Sequence, residues 1–184
     1  MPARTVLFLA LLAAPSIVAQ TPAQNAVSAT TEPTIHTAAD LAQREAKITE
    51  AAKLSPIGFA DMTLDDYGND YTMLVVRLHT GEAERHQWFA DEIVVLKGNF
   101  TLVTGGVMQG EHPGASAGRP GETRSPGMDG GKEVVLHTGD IAHIPAGITH
   151  WVKLAPGATT TYIVFKEKRS AQPLIPPKRA SPTP

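Results

Sequence analysis

Residues 139–150 read GDIAHIPAGITH, and the fold turns on how they are read. Gly139 and Asp140 open a short apolar run, Pro145-Ala146-Gly147 follows as a tight turn, and His150 stands just beyond it. Proline fixes φ and glycine supplies the backbone freedom of a sharp reversal, so this stretch turns a corner and sets a histidine at a defined place. Asp140 is the kind of residue whose side chain bonds turn backbone. A single histidine on a strand is more often structural than chemical. Its meaning depends on what else points at it.

Working outward, the neighbouring segments are short and rich in β-branched residues: YTMLVVRL (71–78), EIVVLKG (92–98), FTLVTGG (100–106), KEVVLHTGD (132–140) and TTTYIVFK (159–166). Gly and Pro punctuate them, which predicts an all-β sandwich or barrel over residues 55–168. Residues 105–131 hold nine glycines and three prolines and read as a long surface loop, of the kind that often covers a site. Before the barrel, AADLAQREAKITEAAKL predicts one helix over 38–54, with apolar positions at Leu41, Ala46, Ile48 and Ala52. Residues 20–37 read as a flexible linker, and the Pro-rich residues 169–184 as a disordered tail.

The first residues, MPARTVLFLALLAAPSIVA, have the form of a signal peptide over 1–19: Arg4, an apolar run and a small residue at the cleavage point. That run is too short to span a bilayer, so the mature chain is expected to carry no membrane span and to be secreted or periplasmic in a bacterium. The 184 residues have a formal net charge of −2 and no cysteine. Near-neutrality gives no reason to expect nucleic acid, and without cysteine there is neither a disulfide frame nor a thiolate metal site.

Metal-competent companions for His150 occur in ERHQWFADEIVVLKG (84–98). On a strand Glu84 and His86 share a face. Asp91 begins the next apolar run, and a hairpin would return it toward His86. Glu84, His86, Asp91 and His150 together are a set of imidazoles and carboxylates suited to Mn, Fe, Zn, Co or Ni. The acids would neutralise the ion within the barrel, offsetting the cost of burying either sign alone. Trp88 shares parity with His86 and suits either a pocket mouth or the core; Trp151 should face away from His150. His143 reads as a non-ligand on the strand before the turn, and His36, His79, His112 and His137 as solvated. Arg77 and Arg124 read as surface charges, with recognition of a substrate carboxylate as the functional alternative.

These residues resemble the two motifs of the cupin superfamily. Gly139, Pro145, Gly147 and His150 match the second motif, whose last histidine is a metal ligand in cupins; Leu154 stands near the place of its usual asparagine. The first motif fits in two registers. One takes His86, Trp88 and Glu92; the other takes Glu84, His86 and Asp91, with the family's spacing to Gly98. The second is favoured because a turn glycine fixes register, and a slip of one residue reverses every side chain. The likeness covers roughly residues 70–166 and extends to small exported bacterial cupins with a single barrel.

That resemblance implies a double-stranded β-helix (jelly-roll) barrel binding a divalent metal and a small-molecule ligand or substrate, and pairing as a homodimer. It implies dioxygenase, isomerase, decarboxylase or hydrolytic chemistry without choosing among them. A binding protein without turnover is the alternative, favoured by glutamate standing where the family has histidine. A purely structural barrel ranks last, because inward acids without a cation would be costly.

Overall fold

The computed structural model describes residues 33–116 and 118–169. The expected signal peptide over 1–19, the expected linker up to residue 32 and the expected tail from residue 170 lie outside the described residues. No helix among the described residues is long and apolar enough to cross a membrane.

One helix, α1 (Ala38–Leu54), precedes the strands. Thr37 caps it in a reciprocal arrangement: its hydroxyl accepts from the Asp40 amide at 3.1 Å, and the Asp40 carboxylate accepts from the Thr37 amide at 3.3 Å. Ile48 and Ala52, one turn apart, share a face and pack on Leu74 and Val76. Glu45 adds a polar clamp, accepting from Lys97 at 2.5 Å and from the Thr161 hydroxyl at 2.9 Å.

The strands form two antiparallel sheets joined through one long strand. The first sheet runs in the order β1 (Phe59–Asp66), β2 (Asp70–Arg77), β12 (Thr160–Lys168), β4 (Phe89–Thr104) and β10 (Ile141–Ile144). The second runs β9 (Lys132–His137), β4 again, β11 (His150–Lys153), β3 (Ala83–His86), β7 (Arg119–Ser125) and β6 (His112–Ser116). Beside them β5 (Val107–Gln109) and β8 (Gly127–Asp129) pair as a small ribbon.

Alternation sorts the side chains. On β2, Tyr71, Met73 and Val75 join the core between the sheets, while Leu74 and Val76 face α1. Phe89, Ile93 and Val95 of β4 and Tyr162 and Val164 of β12 complete one wall, and Phe100, Leu102, Leu136 and Val152 the other.

The chain that reads as two strands, 92–98 and 100–106, is the single sixteen-residue β4. Its first half pairs with β12 and its second half with β11 and β9. The change of sheet falls at Lys97, Gly98 and Asn99, which are exposed, next to a bulge opposite Thr161 and Tyr162. Gly98 has φ of +75° and lies so close to Thr159 that a Cβ would collide with its carbonyl oxygen.

Residues 105–131 are not the surface loop that their composition predicts. They contain β5, β6, β7 and β8, and β7 lies against β3 inside the second sheet. The strands are three to seven residues long and poor in β-branched residues, with glycines of positive φ at their ends. Tertiary pairing overrides a composition that by itself disfavours strand.

Replacing Gly98 by alanine should remove at least about 2 kcal/mol of stability, since the left-handed penalty and the collision add. Gly68→Ala, also at positive φ but with open space around it, should lose only about 1 kcal/mol. Urea denaturation of the two variants gives the comparison; equal losses would remove the special role of the bend.

Candidate functional site

The sheets face each other across a cavity of about 160 Å³. Met73, Val75, Ile93, Val152 and Val164 give it apolar walls. Onto that background the strand period places an unusual number of ionisable groups.

Cross-strand register accounts for their positions. On the second sheet Arg124, Glu84 and His150 lie in one row, because Glu84 is opposite Arg124 on one side and His150 on the other. His86, two residues from Glu84 and on the same face, is opposite Glu122. On the first sheet Lys166 stands between Asp91 and Tyr71.

Glu84, His86 and His150 each offer a ligand atom, all within 4.8 Å of one another. The imidazole rings of His86 and His150 have centroids 5.3 Å apart. Asp91 approaches from the opposite sheet, with its Oδ2 3.5 Å from His86 Nε2 and 3.6 Å from His150 Nε2. It arrives by a different route from the expected hairpin. Between His86 and Phe89 the chain crosses from one sheet to the other, and β11 separates β3 from β4. The competing register fails geometrically: Glu92 is half-buried on the outer face and pairs with His143 at 2.8 Å, and Trp88 is 45% exposed.

The turn that opens the sequence reading fastens the two motifs together. Ile148 donates to the Pro145 carbonyl at 3.2 Å, and the Gly147 amide donates to the His86 carbonyl at 2.8 Å. Gly147 adopts φ of +82°, as that reversal requires. Asp140 bonds turn backbone, accepting from the His137 amide at 2.7 Å. Trp151 faces away from the cavity and donates its indole N–H to the Gly81 carbonyl at 2.7 Å.

Three cations that the sequence reading left aside or placed outside lie within. Arg77 is buried, donating to Glu84 Oε1 at 2.9 Å and to the Tyr162 hydroxyl at 3.0 Å. Arg124 is on β7, not in a loop, and pairs with Glu122 at 2.7 Å. Lys166 is 4% exposed; its ammonium donates to Asp91 Oδ2 at 2.6 Å and to His86 Nε2 at 2.6 Å. A period of two counted from Tyr162 and Val164 leads to Lys166, and counted from Met73 and Val75 leads to Arg77. That was the signal.

The electrostatics follow from these contacts. Burial pushes the Glu84 carboxyl up, but the neighbouring His86 ring and the Arg77 and Arg124 charges outweigh it and hold it well below the usual carboxylate range. Burial is also the largest influence on His150; it lowers the imidazole against the pull of Asp91 and Glu84, keeping the ring neutral and its lone pair free. The expectation that inward acids need a metal for neutralisation is therefore corrected. Glu84, Asp91 and Glu122 each have a cationic side chain in contact.

Two imidazoles and a carboxylate at this spacing could hold a metal ion, and their chemistry fits a first-row divalent ion. Asp91 Oδ1 is buried with no partner, a further acceptor turned away from bulk water. One donor is engaged, because His86 Nε2 accepts from Lys166.

Both motifs therefore meet inside a curled antiparallel sheet pair, with their polar residues facing inward. The fold is a single curled antiparallel barrel, consistent with the one that the cupin resemblance implies. No protein-family model and no curated protein matches the chain. Among solved structures it is similar to the polyketide cyclase RemF of Streptomyces resistomycificus, at 19% identity and a TM-score of 0.42, over 61% of this chain and 68% of that one. A cupin superfamily protein of Desulfitobacterium hafniense gives 11% and 0.41, over 59% and 76%. A cupin-2 domain of Rhodospirillum rubrum gives 14% and 0.42, over 65% and 66%.

Arg77→Met should cost about 3 kcal/mol in urea denaturation, because it strands the buried Glu84 carboxylate. The double variant Arg77→Met/Glu84→Gln should recover a large part of that loss. No recovery would mean that the pair is not coupled as described.

Proposed function

We propose that this cupin is an exported protein that takes a small polar molecule into its barrel beside a divalent transition metal. Glu84, His86 and His150 would hold the metal, with Asp91 next to them. The observation that carries this reading is the convergence of three ligand atoms within 4.8 Å of one another, with Glu84 and His150 on the wall of the cavity and His86 beside them. When bound, such an ion acts as a Lewis acid on a ligand oxygen. The chain's own groups do the rest: Met73, Val75 and Val164 exclude water from one side, and Arg77 orients Glu84 through its guanidinium. Pairing of two barrels as a homodimer belongs to the same proposal.

A second reading, capture of a ligand without metal, is favoured by the charge balance. Arg77, Arg124 and Lys166 stand against Glu84, Glu122 and Asp91, so each of these acids has a cationic partner without any added ion.

Titration with Co(II), followed by its visible absorption, separates the two. The metal reading expects about one ion per chain and a loss of affinity of at least tenfold in His150→Ala. Absence of uptake in the wild type for Co, Mn, Fe, Ni and Zn alike would leave the second reading standing.

A further inference from the structure

Lys166 lies where the metal reading needs an open coordination position. Its ammonium is 2.6 Å from His86 Nε2 and 2.6 Å from Asp91 Oδ2, and the side chain is 4% exposed. A strand partner directly opposite Asp91 holds it there, so the contact is set by register and not by a wandering side chain. An imidazole nitrogen has one in-plane lone pair. While Lys166 donates to Nε2, that nitrogen has nothing left for an ion.

We propose that Lys166 is a tethered cation which competes with a divalent metal for His86 and Asp91. The inference rests on the metal reading of the same site and adds a residue that sets its affinity. Three features support it beyond the distance itself. The ammonium satisfies an acid that would otherwise be buried and unpaired, so the ion-free barrel is stable without a metal. An ion entering with Lys166 in place would add two positive charges beside acids that already have cationic partners. The remaining donors, Glu84 and His150, make no contact with Lys166 short enough to be an ion pair or hydrogen bond, so they stay available while His86 is held. Metal uptake is then an exchange: Nε2 of His86 releases an ammonium N–H and accepts the ion, and Lys166 moves off.

The test is Co(II) binding by calorimetry and visible absorption in wild type and in Lys166→Met, which keeps the length of the side chain and removes its charge. The expected result is at least tenfold tighter binding in the variant, with a larger rise in Tm on adding Co(II). Equal or weaker binding in Lys166→Met, with the wild type binding, would overturn the role of the lysine and leave the metal reading intact. Binding by the variant alone would support the competition and overturn the metal reading for the native chain. Uptake by neither protein would overturn both. Because Lys166→Met leaves Asp91 without its partner and folding could suffer, Asp91→Asn and Asp91→Asn/Lys166→Met form a second pair. There the double variant should again bind at least tenfold tighter than the single one.

Discussion

Everything in the barrel depends on β4 belonging to both sheets. A strand whose first half lies between β12 and β10 and whose second half lies between β11 and β9 cannot slip by a residue without disturbing four neighbours. Its bend at Gly98 sets the angle between the sheets. Its first half carries Asp91 inward from one wall, while its second half carries β11, and with it His150, on the other. Site and fold are therefore one constraint. The polar residues meet because a single continuous strand passes from wall to wall.

The interior built this way is not an oily core with a few ligands added. Apolar residues from both sheets enclose three acids, each in contact with a basic side chain, together with two imidazoles. Buried ion pairs of this kind contribute little net stability compared with apolar residues of the same size, yet removing one partner is expensive.

Much of this was legible from residue spacing. The alternation in 71–78 and 159–166, the turn before His150 and the shared parity of Glu84 and His86 led to the strands and to the wall on which these residues lie. The register choice between Asp91 and Glu92 followed from the distance to Gly98. Two things were hidden. Residues 105–131 look like a loop because short strands stabilised by neighbours need no β-branched run of their own. The cations stayed hidden because they carry no local mark of burial: Arg77 and Lys166 are each received by an acid from another strand, and half-buried Arg124 pairs with Glu122 on its own strand. Pairings separated by seventy residues or more, such as Lys166 with Asp91 or Trp151 with Gly81, are not visible in any local window.

The hydrogen bond from the Gly147 amide to the His86 carbonyl involves main-chain atoms alone. Apart from the glycine itself, it makes no demand on the identity of neighbouring side chains, and Ile148, next in the chain, is 40% exposed. The alignment of the two halves of the pocket is thereby insulated from mutation at that exposed position. Evolutionary drift there can alter what the rim of the barrel presents to an arriving molecule while the spacing of the histidines is inherited unchanged.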